Sequence, residues 1–143
     1  MTIAKVLLVD DEAPFVEAMT KRLTKRQMSI IPAFSGDEAL KQLQDREDIE
    51  VIILDVKMPG MDGIETLKEI KKRYPLVEVV MLTGHATVES AIDGMKWGAF
   101  DYLMKPCDME QLTAKVKEAA TKKRLHEDKI VQARMKEITS RMI

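Results

Sequence analysis

Four short apolar runs divide the chain, and the segments between them carry apolar residues at helical spacing. The runs occupy residues 6–9, 51–54, 79–82 and 100–104. Runs of this length, bounded by turn residues, are typical of buried parallel strands that have helices on both faces. A weaker run at residues 28–33 predicts another strand, and Pro32 within this run predicts a position at the edge of the sheet.

Amphipathic helices are predicted between the strands, because apolar residues recur three and four positions apart. The four apolar stripes are Phe15, Val16, Met19 and Leu23; Ala39, Leu40 and Leu43; Ile64, Leu67 and Ile70; and Val88, Ala91, Ile92 and Met95. The residue pattern of a capping box marks three helix starts, at Ser35, Asp62 and Asp108. Strand and helix alternate five times, which predicts an α/β fold with a doubly wound five-stranded parallel sheet.

The C-terminal segment is longer than the domain needs. From about Asp108 it is highly charged and lacks Gly and Pro, which predicts one extended helix of roughly 30 residues. Its first turns carry an apolar line that would pack on the sheet, at Leu112, Val116 and Ala119. A second line lies beyond them, at Val131, Met135, Ile138 and Met142. We expect a domain at 1–120 and a helical extension or linker at 121–143, which is either a solvated helix or, as we favour, a partner-dependent coiled coil.

Length and charge narrow the classes of function. A chain of 143 residues supports one hydrophobic core. Lys and Arg total 23 against 24 Asp and Glu, so no basic excess favours direct binding to nucleic acid or to an anionic membrane. No apolar stretch approaches the roughly 18 residues that cross a bilayer, and no signal peptide is evident, so we expect a cytoplasmic protein. The single cysteine, Cys107, cannot form an internal disulfide, and no Cys/His cluster could bind zinc.

Polar side chains follow the four main strands. They are Asp10 and Asp11, Asp55, Thr83, and Lys105. Ligands of open parallel sheets bind beyond the carboxyl ends of the strands, so these side chains should converge. Three crowded carboxylates repel one another unless a cation binds, and Mg²⁺ suits oxygen ligands best. With an ammonium and a hydroxyl added, the set has the groups needed to transfer phosphate onto an aspartate.

From about residue 3 to residue 120, the chain resembles a known family, the receiver domains of two-component response regulators. The resemblance depends on the order of several motifs: Val-Asp-Asp-Glu at 9–12, Leu-Asp-Val-Lys-Met-Pro-Gly-Met-Asp-Gly at 54–63, Leu-Thr-Gly-His at 82–85 and Lys-Pro at 105–106. Residues 83–112 look most like receivers of the nitrogen-regulator type. Those receivers precede an ATPase activator module and are commonly joined to it by a helical linker.

The resemblance implies a flavodoxin-like strand order, 2-1-3-4-5, and roles for individual residues. Asp55 would be the phosphoacceptor. The ligands of Mg²⁺ would be Asp10, Asp11, Asp55 and the backbone carbonyl of Lys57. Thr83 and Lys105 would hold the phosphoryl oxygens, and Tyr102 would be the switch aromatic, although a half-buried core tyrosine would occupy the same place. Lys57 and His85 would either tune dephosphorylation or be solvated rim residues.

The function that follows is a phosphoacceptor switch rather than an enzyme. A histidine kinase would phosphorylate Asp55, and the face formed by the fourth helix, fifth strand and fifth helix would respond. That face and the long helix would control a homodimer or an output domain. The chain is expected to be either a stand-alone receiver or, as the long helix favours, the front end of a longer regulator that carries the output domain. No membrane or direct nucleic-acid contact is expected of this segment.

Two alternatives belong to other classes. A Mg²⁺-dependent phosphatase with an aspartyl nucleophile, similar to haloacid dehalogenases, would need Asp-x-Asp after the first strand, whereas this chain has Asp10-Asp11-Glu12. A phosphorylation-independent dimerisation scaffold would not need the Asp55, Thr83 and Lys105 that are present.

Overall fold

The computed structural model describes residues 2–142, and its centre is a five-stranded parallel sheet. The strands are β1 (Ala4–Val9), β2 (Met28–Ala33), β3 (Val51–Leu54), β4 (Glu78–Thr83) and β5 (Asp101–Met104). Their order is β2-β1-β3-β4-β5, as predicted, and β2, which contains Pro32, lies at an edge. Val9 pairs with Leu54, and Leu54 pairs with Met81, so the carboxyl ends of the three central strands lie side by side.

Five helices cover the two faces of the sheet. They are α1 (Ala13–Lys25), α2 (Gly36–Asp45), α3 (Gly63–Arg73), α4 (Val88–Lys96) and α5 (Met109–Arg141). Alternate side chains of the strands point to opposite faces, so two core clusters form. One cluster joins Val6 and Leu8 to residues of α1 and α5. The other joins Leu7 and Val9 to residues of α2 and α3. This is the predicted doubly wound arrangement, with helices on both faces.

The helix starts differ in detail from the predicted capping boxes. The side chains of Ser35 and Asp62 accept a hydrogen bond from the backbone N–H three residues later, as expected. Asp108 accepts from Glu110 N–H, one residue earlier than the pattern predicts. The reciprocal capping box is at the start of α4, where Thr87 and Ser90 bind each other's backbone N–H groups. The pattern missed it because serine, rather than Glu or Gln, occupies the third helical position.

Helix α4 turns its apolar stripe toward solvent, unlike the other helices of the predicted set. Ile92 is 61% exposed, and Val88 and Met95 are exposed as well. The buried residue of α4 is Gly94, whose missing side chain lets the helix lie against the ring of Tyr102. The spacing predicted a helix with one apolar stripe, and the structure has that helix. The helix packs against β5 at Gly94, however, so the stripe itself stays exposed.

Helix α5 spans 33 residues, and only its first part contacts the sheet. Leu112, Val116, Ala119 and Ala120 are buried against it. Arg124 donates to the Ile3 carbonyl at 2.8 Å, close to the amino end of β1. The apolar residues farther along are exposed, namely Leu125, Ile130, Val131, Met135, Ile138 and Met142. Within residues 2–142, α5 and the other helices are not apolar over a length that would cross a membrane.

Candidate functional site

Three aspartates lie together at the carboxyl edge of the sheet. Asp10 and Asp11 follow β1, and Asp55 follows β3, the neighbouring strand. One carboxylate oxygen from each residue lies within 4.8 Å of the others. Asp10 and Asp55 are each only 1% exposed, whereas Asp11 faces solvent. The parallel register of β1 and β3 therefore brings together the acidic residues that the sequence places 44 positions apart, from Asp11 to Asp55.

Backbone groups hold the two buried carboxylates. Asp10 Oδ1 accepts the Glu12 N–H at 2.9 Å, and Asp55 Oδ1 accepts the Val56 N–H at 2.8 Å. Behind Asp55, the backbone of α3 approaches closely at Gly63, where a Cβ atom would lie 2.0 Å from the Asp55 carbonyl oxygen. Only glycine fits at this distance, so Gly63 lets the start of α3 pack directly against the residue that carries the candidate carboxylate.

The Lys105 ammonium lies among these carboxylates. Its Nζ is 2.6 Å from Asp10 Oδ2, 3.7 Å from Glu12 Oε1 and 3.9 Å from Asp55 Oδ2. The Lys105 side chain is 15% exposed, so its ion pairs with the buried Asp10 and Asp55 are largely shielded from water. The ammonium also lies 3.8 Å from the centroid of the Phe15 ring. One cation thus offsets part of the local negative charge, and it is closer to Asp10 than to Asp55.

Burial raises the pKa of the Asp55 carboxyl above its ordinary value. The nearby charge of Asp10 acts in the same direction. The Thr83 hydroxyl, the Lys105 ammonium and the Val56 N–H oppose this increase by favouring the ionised form, but they do not cancel it. An ionised Asp55 is therefore held at a cost in free energy, and a cation near its oxygens would reduce that cost.

Thr83 and Lys105 are joined through the backbone. Thr83 ends β4 and is fully buried, and its Oγ accepts the His85 N–H at 3.0 Å. The Lys105 N–H donates to the Thr83 carbonyl at 2.9 Å. The structure thus brings the hydroxyl and the ammonium to the same edge of the sheet as the aspartates.

Tyr102 and Lys57 lie at the margins of the site. The Tyr102 ring is half-buried beside Gly94 of α4, and its hydroxyl is 2.6 Å from Ser90 Oγ. Lys57 is exposed and lines an open cleft of about 450 Å³, together with Asp11, Glu12, Met58, Pro59 and His85. A larger groove of about 860 Å³ lies between α2 and α3, away from the aspartates. Of these two, the smaller cleft is the one that adjoins the aspartate cluster, through the exposed Asp11.

The donor set fits Mg²⁺. The clustered ligand atoms are all carboxylate oxygens, which small hard cations prefer. The exposed Asp11 and the adjoining cleft leave space for water and for phosphate oxygens. Burial, together with the Asp10 charge, raises the pKa of Asp55, and a divalent cation near its oxygens would favour the ionised carboxylate.

Sequence reasoning missed three contacts of the site. The spacing predicts only that Phe15 belongs to the apolar stripe of α1, whereas its ring also contacts the Lys105 ammonium. Ser90 carried no signal, because its contact with Tyr102 depends on how α4 lies beside β5. Glu12 was part of the acidic motif, but its approach to Lys105 needed the three-dimensional structure.

Comparison with known proteins agrees with this architecture. Residues 6–117 match the model of the response regulator receiver domain. The chain is 37% identical over 112 residues to the DNA-binding transcriptional regulator NtrC of Klebsiella pneumoniae, a match that covers 78% of this chain and 24% of that protein. The strand order 2-1-3-4-5 is that of flavodoxin-like folds, which include the receiver domains. The chain belongs to the response regulator receiver domain family.

Solved structures are similar over most of the chain. A response regulator receiver domain protein from Clostridium thermocellum has a TM-score of 0.81 and 36% identity, and the match covers 85% of this chain and 98% of that one. NtrX from Brucella abortus has a TM-score of 0.80 and 32% identity, and the match covers 90% of this chain and 29% of that one. The chain spans about a quarter of the length of the curated relatives that it matches.

Proposed function

We propose that this receiver accepts a phosphoryl group on Asp55 from a phosphohistidine of a histidine kinase. The phosphorus–nitrogen bond would break as a bond forms between phosphorus and an Asp55 carboxylate oxygen. The observation that carries the proposal is the arrangement of three carboxylates within 4.8 Å, with the Lys105 ammonium 3.9 Å from Asp55. Phosphoryl transfer depends mainly on positioning and on neutralising charge, and this arrangement supplies groups for both.

The side chains around Asp55 have separate roles in this proposal. Asp10, Asp11, Asp55 and the Lys57 backbone carbonyl would hold Mg²⁺, which when bound supplies positive charge near the phosphoryl oxygens. Lys105 would exchange its contact with Asp10 for one with a phosphoryl oxygen. The Thr83 hydroxyl would donate to another phosphoryl oxygen. The chain would assist the transfer and the slow hydrolysis of its own acyl phosphate, and would act as a switch rather than as an enzyme.

The switch would pass from Asp55 to α4 and β5. Phosphorylation adds about two negative charges at the end of β3. As Thr83 moves toward these charges, we propose that Tyr102 changes its contact with Ser90, which belongs to the cap of α4. A phosphoryl group that interacts differently with two arrangements of α4 shifts the population between them.

We propose a homodimer through the α4–β5–α5 face and the exposed part of α5 as the output of the switch. Exposed apolar residues occur on both parts, including Ile92 and Met104 on the face and Val131 and Met135 on the helix. In this proposal residues 1–120 form the receiver and residues 121–143 the linker to an output domain. The protein would act in the cytoplasm, and this segment would bind neither nucleic acid nor a membrane.

The mass of the intact protein tests the proposal directly. After incubation with Mg²⁺ and acetyl phosphate, we expect a gain of one phosphoryl group, about 80 Da. The gain should be absent in Asp55→Asn and strongly reduced when Mg²⁺ is removed by chelation. Asp62→Asn is the matched control, because Asp62 caps α3 and asparagine is an equally good cap.

The outcomes separate the candidate functions. A gain of mass in wild type and in Asp62→Asn, but not in Asp55→Asn, supports the phosphoacceptor role of Asp55. No gain, either with acetyl phosphate or with phosphoramidate as a histidine-like donor, would contradict the proposal and favour a scaffold that does not use phosphorylation. Continuous release of phosphate from many donor molecules, at enzymatic rates, would instead favour the phosphatase alternative.

A further inference from the structure

The Phe15 ring contacts the Lys105 ammonium, which also pairs with the carboxylates of the site. The Phe15 ring lies in the first turns of α1, is half-buried and packs against the core cluster of α1 and α5. Its centroid is 3.8 Å from Lys105 Nζ, well within the range of a cation–π interaction. The Lys105 side chain is 15% exposed, and such an interaction is stronger when the cation is shielded from water.

The other partners of the ammonium are all carboxylates. They are Asp10 at 2.6 Å, Glu12 at 3.7 Å and Asp55 at 3.9 Å. The aspartates are the proposed ligands of Mg²⁺, and the proposed transfer requires Lys105 to leave Asp10 for a phosphoryl oxygen. The Phe15 ring does not bind Mg²⁺. Its attraction for the ammonium therefore persists while the ionic partners change.

We propose that Phe15 is a positioning residue that keeps the Lys105 ammonium in the acidic crevice while Lys105 exchanges Asp10 for the phosphoryl group on Asp55. This inference goes beyond the proposed function in assigning a role to an aromatic residue of α1, and its consequence for transfer rates rests on that function. The ring acts in two ways. Its face attracts the cation, and its bulk excludes water that would otherwise solvate the ammonium.

The chain offers a matched control for the loss of an aromatic ring. Phe100 is also half-buried and packs against the same core cluster, but the nearest cation to its ring is Lys122, at 5.7 Å. Phe15→Leu and Phe100→Leu each remove a ring from that cluster and keep an apolar side chain. A purely structural role for Phe15 predicts similar behaviour of the two variants, whereas a positioning role does not.

The first measurement is a proton–carbon NMR spectrum of the metal-free, unphosphorylated protein, with the Lys105 signals assigned by comparison with Lys105→Arg. Protons above the face of an aromatic ring are shifted upfield by the ring current. We expect the Lys105 Hε signals to be shifted upfield in wild type, Phe15→Tyr and Phe100→Leu, and to lose this shift in Phe15→Leu. Lys68, which lies 4.4 Å from the Trp97 ring centroid, is excluded from the unshifted reference lysines. Unshifted Lys105 signals in wild type would overturn the proposal, whatever the protein does with phosphate.

The second measurement is the rate of phosphorylation by acetyl phosphate at saturating Mg²⁺. We expect Phe15→Leu to react about fivefold more slowly than wild type, a factor within the range of a cation–π contact. Phe15→Tyr, which keeps the ring, should restore the rate, and Phe100→Leu should react as wild type does. Equal rates for wild type and Phe15→Leu, or equal losses in the two leucine variants, would contradict the positioning role.

The two measurements distinguish this inference from the proposed function. If wild type shows the upfield Lys105 signals but accepts no phosphoryl group, the proposed function fails and the predicted role in transfer fails with it. If wild type is phosphorylated on Asp55 and Phe15→Leu reacts at the same rate, only the role of Phe15 fails.

Discussion

The Arg124 guanidinium binds both carboxylate oxygens of Glu50, with Nε 2.6 Å from Oε2 and an Nη nitrogen 2.9 Å from Oε1. Glu50 immediately precedes β3, so this contact ties α5 to the amino edge of the sheet. Burial alone would raise the pKa of Glu50, but the Arg124 guanidinium and the Lys5 N–H together lower the pKa below its ordinary value. An ion pair therefore holds α5 against the sheet at Arg124, beyond Ala120, the last buried apolar residue of the helix.

The first prediction concerns this ion pair. Arg124→Ala and Glu50→Gln should each lower the free energy of unfolding, with a coupling of about 1 kcal/mol in a double-mutant cycle, because the pair is bidentate but half exposed. The lowered pKa of Glu50 means that the contribution is present at neutral pH and disappears as the pH falls through that pKa. Urea unfolding at pH 7 and pH 3.5 checks both statements. Additive effects at pH 7 would contradict them.

The second prediction concerns the charge of Asp55. Its pKa is raised, so the folded state binds a proton more readily than the unfolded state, and ionised Asp55 destabilises the fold. Asp55→Asn should therefore be more stable than wild type at pH 7 in metal-free buffer. The difference should shrink as the pH falls from 7 through the raised pKa, because the wild-type carboxyl then becomes neutral. Thermal unfolding of both proteins across this pH range measures the difference in stability. A stability gain of Asp55→Asn that grows toward low pH would contradict the raised pKa of Asp55.

The third prediction concerns Gly63. A Cβ atom there would lie 2.0 Å from the Asp55 carbonyl oxygen and 2.7 Å from Val56 Cα, both of them backbone atoms. Gly63→Ala should cost about 2–3 kcal/mol of stability, since α3 must move away from Asp55. Gly84→Ala is the control, because a Cβ atom there meets nothing closer than 3.9 Å. Chemical denaturation measures the free energy of unfolding of both variants. Equal losses of stability in the two variants would contradict the predicted clash at Gly63.

The fourth prediction concerns the hydrogen bond between Ser90 and Tyr102. Ser90→Ala removes one side of the capping box of α4 and the partner of the Tyr102 hydroxyl. We expect a loss of about 1 kcal/mol in stability and a change in the environment of Tyr102 before any phosphorylation. Ultraviolet absorbance of Tyr102, isolated by difference from Tyr102→Phe, reports this environment. An unchanged signal would show that Ser90 does not hold the tyrosine.

The fifth prediction concerns the exposed end of α5. If the proposed dimer uses this segment, Met135→Glu combined with Ile138→Glu should abolish it and leave phosphorylation of Asp55 unchanged, because charges would replace the apolar line. Gln132→Glu combined with Ser140→Glu adds the same charge at other exposed positions and should preserve the dimer. Light scattering before and after phosphorylation measures the oligomeric state. A dimer that survives the first pair of substitutions would exclude this segment as the contact.

The sequence predicted the sheet and its acidic edge because both depend on local patterns. A strand such as β3 is apolar throughout and is followed directly by Asp55, so its burial and its direction can be inferred without knowing its neighbours. Strand order came from the family resemblance rather than from the pattern. The exposed stripe of α4 and the ring of Phe15 above Lys105 were not predictable, because each depends on the distance between elements that are far apart along the chain.

The course of α5 carries a mechanical consequence. The helix is anchored at the amino edge of the sheet by Arg124, opposite the edge that carries Asp55, and continues to Arg141 without a break. The 17 residues beyond the anchor form a stiff arm of about 25 Å, at 1.5 Å per residue. A pivot of about 10° at the anchor would carry the tip about 4 Å, nearly the rise of one helical turn. Small changes of packing within the domain would thereby be magnified into a shift large enough to change which side chains meet at the far end.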